Sequence, residues 1–154
     1  MLFLQSGRQW NRRKIIADGI TFFLYTVCTG WIIVGYEKYV CGLAIEQVAI
    51  LRMMSGVPRV ALGFACGMVE DAVKRRWFAG SSEFLSQAAA GAVALCLFQL
   101  PFYVGSALIL SAGARQIVVT CILYIASDIL FGWSYVYLLE YIRARFRVST
   151  APDP

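Results

Sequence analysis

Histidine is absent from the 154 residues. That removes the commonest general base near neutral pH and the commonest metal ligand, so zinc, haem and histidine-dependent hydrolase chemistry are poor readings. The five cysteines, Cys28, Cys41, Cys66, Cys96 and Cys121, include no CxxC pair. Four lie in apolar runs, where a thiol packs as a small hydrophobe, and only Cys41 falls in a connecting stretch. Neither a disulfide framework nor a metal site is expected, and no cofactor is implied. Charge is scarce too. Asp, Glu, Lys and Arg make up 15% of the chain, too few to cover the surface of a soluble globule of this size. HExxH, GxSxG and P-loop patterns are also missing, so the sequence does not point to an enzyme.

What is present is apolar. Hydrophobic residues make up 60% of the chain, with a mean hydropathy of +0.68. A bilayer core of about 30 Å takes about 20 helical residues, and four stretches qualify: about 15–36, 47–69, 85–110 and 117–139. The links between them are short, which favours antiparallel neighbours. The expected fold is an all-α membrane protein of four transmembrane helices. A basic segment (1–14) precedes a transmembrane domain (15–141), and a basic tail (142–154) with a disordered end follows. "NRRK" at 11–14 resembles a signal n-region. The apolar run behind it is too long, and no small-residue cleavage site follows, so span one reads as an uncleaved anchor.

The net charge of +5 is a matter of topology. Arg8, Arg12, Arg13, Lys14, Lys74, Arg75, Arg76, Arg143, Arg145 and Arg147 all fall on one side of a four-span arrangement, against Lys38 and Arg115 on the other. The positive-inside rule then puts both termini in the cytoplasm. It also accounts for the basic runs without nucleic acid. Trp10, Trp77, Tyr135, Tyr137 and Tyr141 fall near the inner interface, and Trp31, Tyr36 and Tyr39 near the outer one, as aromatic belts do.

Against this background "LRMMSGVPRV" at 51–60 is out of place. Arg59 falls near the middle of span two, and Arg52 lies roughly 10 Å nearer the outside at 1.5 Å per residue. Their spacing of almost two turns points both guanidiniums to one face. A mid-span arginine costs about 2.5–3.5 kcal/mol on the insertion scale, so both should face protein or water and have partners. Asp128 in span four lies at the depth of Arg59, and Gln99 lies near the middle of span three. Thr26 and Thr29 add hydroxyls in span one. An Arg59–Asp128 ion pair is expected, either as a structural bridge that fixes helix register or as part of a site. Pro58 and Pro101 each strand a carbonyl four residues earlier, for a side chain, water or ligand to satisfy, unless they are plain kinks. Asp18, in the first turn of span one, is either a buried acid or a group facing interfacial water. Glu70 and Asp71 read as a solvated helix end. "GFACG" (63–67) and "AAAGA" (88–92) fit close helix packing, within one subunit or at a dimer seam.

The order of these pieces resembles the L-alanine exporter family of small bacterial inner-membrane proteins. The resemblance rests on "AD" at 17–18, "EQ" at 46–47 followed by Arg52, "GMVEDAVKR" at 67–75, "FQLPFYV" at 98–104 and "YVYLLEYIRARFRV" at 135–148. It implies a four-helix exporter that lowers internal L-alanine using the proton gradient. The matching polar residues are Asp18, Glu46, Gln47, Arg52, Asp71 and Gln99, with Arg59 and Asp128 outside the match. Family members tend to carry a second small residue four after the glycine matching Gly132. Here it is Val136, which argues against a close-packed seam.

The expected mechanism has Arg52 attract the substrate carboxylate. Gln99 and the carbonyl freed by Pro101 orient the amine, and Asp18 serves as the proton-coupled acid. The expected partners are L-alanine, protons and the lipid bilayer. A homodimer would thicken a thin transport wall, and the charge bias would make it parallel. Two rival readings stand beside this one. A small multidrug-type exporter would carry balanced loop charge and a lone glutamate in its first span. A non-transporting scaffold would respond to interior polar mutations by changing partners rather than solute flux.

Overall fold

The computed structural model describes residues 12–78 and 83–148. Arg8 and Trp10 of the basic segment, the end of the tail read as disordered, and the link at 79–82 lie outside the described residues. The described residues form five helices: α1 (Arg12–Tyr39), α2 (Ile45–Ala61), α3 (Gly63–Trp77), α4 (Phe84–Ile109) and α5 (Ala114–Arg145). No strand occurs among them. α1, α4 and α5 are each long and apolar enough to cross a membrane. They match the expected spans at 15–36, 85–110 and 117–139.

The expected second span, one helix over 47–69, needs correction. α2 and α3 meet at Leu62 with a bend of 66°, and only together do they pass as a broken span. The break does not fall at Pro58, which sits on the exposed face of α2 inside the helix. It falls four residues later, where the first turn of α3 swings against α1. A Cβ on Gly63 would stand 2.8 Å from the Phe22 ring, so this approach requires glycine. The turn from α1 into α2 closes through Gly42, at φ +67, a left-handed conformation that glycine adopts without strain. Gln47 then reaches back to accept the Ala44 N–H at 3.2 Å, and Gln116 does the same for Gly113 at 3.1 Å. Gln47 therefore caps a helix, and both it and Glu46 are exposed.

The helices form a ring. α5 lies between α1 and α4, and the bent α2–α3 pair packs against α1 and α4 on the opposite side. α4 and α5 form a close seam despite Val136. A Cβ on Gly132 would lie 2.8 Å from the Ala92 nitrogen, and Gly91 faces the Val136 side chain. The small residue that Val136 lacks is supplied by the opposing helix, so the seam forms. One core cluster packs Phe22, Tyr25, Cys66, Leu95, Phe98, Tyr135 and Leu139. A second, towards the other end of α1, packs Ile33, Leu43, Val48, Leu51, Tyr103, Ala107 and Tyr124. Trp31, Met53, Leu85, Ile109, Ile129 and Leu130 face outward. Large apolar residues on every outer face suit lipid contact.

Candidate functional site

Polar groups collect inside the ring in two places. Near the start of α1, Arg143 of α5 is the hub. Its Nε and one terminal nitrogen donate to the two Asp18 oxygens at 2.7 and 2.8 Å. Its other terminal nitrogen donates to Asp71 of α3 at 2.8 Å. Lys14 reaches Asp71 at 2.7 Å, and Lys74 pairs with the buried Glu70 at 2.6 Å. This tight packing again depends on a glycine, because a Cβ on Gly67 would run into the Asp18 carboxylate. "GFACG" thus packs α3 on α1 within one chain, Gly63 under Phe22 and Gly67 under Asp18. Glu70 and Asp71 are not the solvated helix end expected from sequence. Glu70 is fully buried, and Asp71 is tied to two cations, because the bend tips α3 into the bundle.

The second group is a chain of contacts across four helices. Glu37 of α1 accepts from Arg52 Nε of α2 at 2.9 Å, and its other oxygen forms an ion pair with an Arg52 terminal nitrogen at 2.8 Å. Arg52 also donates to the Tyr124 hydroxyl of α5 at 2.9 Å. Arg59 donates to the same hydroxyl at 3.2 Å and to Gln99 Oε1 of α4 at 3.0 Å. The Gln99 amide nitrogen donates to Asp128 Oδ1 of α5 at 3.3 Å, and the Cys96 thiol lies 3.5 Å from Asp128 Oδ2. Ser55 adds its backbone oxygen to Arg59 at 3.0 Å. Both arginines lie over the Tyr124 ring as well, 5.6–5.7 Å from its centroid, within cation–π range.

Arg52, Arg59, Gln99 and Asp128 therefore belong to one continuous contact path. Among the described residues no direct ion pair joins Arg59 to Asp128, because Gln99 stands between them, its oxygen to the arginine and its nitrogen to the acid. Pro101 is not brought to this path. It lies on the exposed face of α4 while Gln99 is buried, since two residues is more than half a turn. Asp18 is far from the path: nineteen residues of α1 separate it from Glu37, roughly 28 Å of helix.

Sequence reasoning missed Arg143, Glu37 and Tyr124. Arg143 was counted with the tail and Glu37 with a link, yet both are at least 95% buried. Helical periodicity carried a signal for each. Tyr124, Asp128, Tyr135, Leu139 and Arg143 form one buried stripe on α5, and Phe22, Tyr25, Ile33 and Glu37 another on α1.

Most of the chain resembles known proteins. An L-alanine exporter of Cronobacter sakazakii is 29% identical over 139 residues, covering 90% of this chain and 86% of that protein. The L-alanine exporter of Pectobacterium parmentieri is 28% identical, with 89% and 93% covered. That of Escherichia coli is 27% identical, with 92% and 93% covered. No solved structure matches. The AlaE family, described as L-alanine exporter, matches residues 7–149, and the chain belongs to that family.

Proposed function

We propose that this protein exports L-alanine across the bacterial inner membrane, driven by the proton gradient, with four spans and both termini cytoplasmic. Membership of the L-alanine exporter family over residues 7–149 carries this reading. The ten-to-two distribution of basic residues supports the orientation, and two copies inserted that way would pair in parallel. The bent α2–α3 pair supplies the fourth span. Interrupted helices of this kind are a common device for exposing a site at membrane depth.

The contact path supports the mechanism. The substrate carboxylate takes the place of Glu37 on Arg52, the more accessible of the two arginines. Arg59 stays bound to Ser55 and Gln99 and fixes the depth of the site. Gln99, held from both sides, sets the side on which the amine lies. The Arg143 cluster closes the cytoplasmic end. Asp18 there is the proton-coupled acid. Protonation removes the charge that holds Arg143 on α1, leaving Lys14 to keep α1 on Asp71 of α3 while Lys74 keeps Glu70. α1 and α5 can then part.

The test is an efflux assay in cells lacking alanine breakdown and export, loaded with an alanine-containing dipeptide. Faster L-alanine efflux that collapses with an uncoupler is the expected result. Unchanged efflux, with the protein present in the membrane, overturns the substrate. Efflux indifferent to the uncoupler overturns the driving force. An Asp18→Asn variant that still exports uphill at the normal rate overturns the role of Asp18.

A further inference from the structure

Outside the ring, a cavity of about 190 Å³ opens between the start of α4 and the second half of α5. Phe84 and Gln87 of α4 face Trp133, Val136, Tyr137 and Glu140 of α5 across it. Val136 also packs against Gly91 in the close seam, so the seam shuts the cavity off from the polar groups inside the ring. Phe84, Trp133 and Tyr137 are each about half exposed. The cavity therefore opens on the outer, lipid-facing side of the bundle. Glu140 is three residues before Arg143, which puts the mouth at the charged end of the helices, level with lipid headgroups.

The lining says what fits. Trp133 and Tyr137 stand edge to face with centroids 6.2 Å apart, and Phe84 lies against Tyr137 at 6.3 Å. Aromatic rings set at angles around a hole attract a cation. Glu140 supplies the one charged group of the lining. Its ion-pair partner Lys74 is 3.5 Å away and holds Glu70 more closely, at 2.6 Å. The Gln87 side-chain oxygen is buried without a donor among the described residues, a cost that a donating guest would relieve. A primary ammonium answers all three features: it brings a positive charge for the rings and the carboxylate, and N–H donors for Glu140 and Gln87. A trimethylammonium suits the rings but has no N–H to give. An acidic headgroup is repelled by Glu140.

We propose that this cavity receives the headgroup of a phospholipid that ends in a primary ammonium. A lipid is the occupant, rather than a free amine, because the mouth lies at headgroup level on the lipid-facing side. No cation lines the cavity, so the phosphate stays outside it. Ile129 and Leu130, one turn beyond Trp133, also face outward and continue the apolar stripe along which an acyl chain can lie. The site is separate from the path between Glu37 and Asp128 and does not depend on what the protein exports.

The experiment uses the full chain, stripped of lipid in detergent. It is titrated with phosphatidylethanolamine, its N-methyl and N,N-dimethyl forms, phosphatidylcholine and phosphatidylglycerol in mixed micelles. Binding is read from the melting temperature and from the lipid retained in native mass spectrometry. Wild type should bind phosphatidylethanolamine roughly tenfold more tightly than phosphatidylcholine, the worth of a hydrogen bond to a charged group. The methylated forms should fall between them as N–H donors are removed. Glu140→Gln and Gln87→Leu should each erase most of this preference, and Trp133→Leu should weaken the ethanolamine lipid several-fold. Without lipid, all three variants should melt near wild type, since these side chains face the cavity or the bilayer.

Equal binding of phosphatidylethanolamine and phosphatidylcholine by wild type overturns the proposal, and needs no variant. So does a preference that survives in Glu140→Gln, or a loss that only follows a lower lipid-free melting temperature. Soluble O-phosphoethanolamine is the last arm. If it displaces the lipid as well as phosphatidylethanolamine itself does, the cavity takes free amines and the lipid occupant is overturned.

Discussion

Around Arg143, each buried charge touches an opposite charge directly, and three helices, α1, α3 and α5, converge on it. Along the path from Glu37 to Asp128, neutral groups separate the charges: Tyr124 lies between the arginines and Gln99 between Arg59 and Asp128. The first arrangement is a clasp. Its members leave together or not at all, because a single buried charge without its partner is very costly. The second can exchange partners one at a time. A phenol or amide can lose one bond and keep another, so a guest can enter without stranding a charge. A bundle that must both close and bind has reason to hold one of each.

The widest separation of the two regions should come from Arg143→Met. It strands Asp18 and leaves Asp71 with Lys14 alone, and removing one partner of a buried pair costs about 3–5 kcal/mol. The amount of folded protein in the membrane should fall several-fold, with Arg143→Lys intermediate because it keeps the charge but loses the fork. An Arg143→Met variant with normal abundance and thermal stability would dissolve the distinction between clasp and path.

Gln99→Leu probes the other side. It leaves Arg59 and Asp128 each one bond short, worth about 1–3 kcal/mol where a buried polar group loses its partner. Arg59 keeps Ser55 and Tyr124, so the fold should survive in detergent thermal melts. Export should fall by a larger factor than the amount of protein. Equal losses of both would mean that the path serves only the fold.

The smallest effect belongs to the rim of the clasp. Glu140 meets Lys74 at 3.5 Å with 46% of its side chain exposed, and Lys74 holds Glu70 much more closely. Glu140→Gln should change stability by less than about 1 kcal/mol, as exposed pairs do, and leave efflux unchanged. A large loss there would place the edge of the clasp further out than the geometry of Arg143 suggests.

Hydropathy alone made three of the spans legible, because the length of an apolar run is a local property and the bilayer fixes what length suffices. The same reading merged α2 and α3. Nothing within "SGVPRVALGFACG" says that the bend falls at Leu62 rather than at Pro58. The bend is settled by Phe22, a residue of another helix, pressing where Gly63 has no side chain.

Composition also determined that interior arginines needed partners, since an unpaired charge in an apolar interior costs too much to leave alone. It named Asp128 and Gln99 as candidates. Which atom meets which depended on the rotation of each helix about its axis, and only packing sets that rotation. Packing put Gln99 between Arg59 and Asp128, turned Pro101 outward, and drew Arg143 and Glu37 in from what reads as tail and link. It also packed Tyr25 edge to face on Tyr135, a pairing that joins residues more than a hundred positions apart.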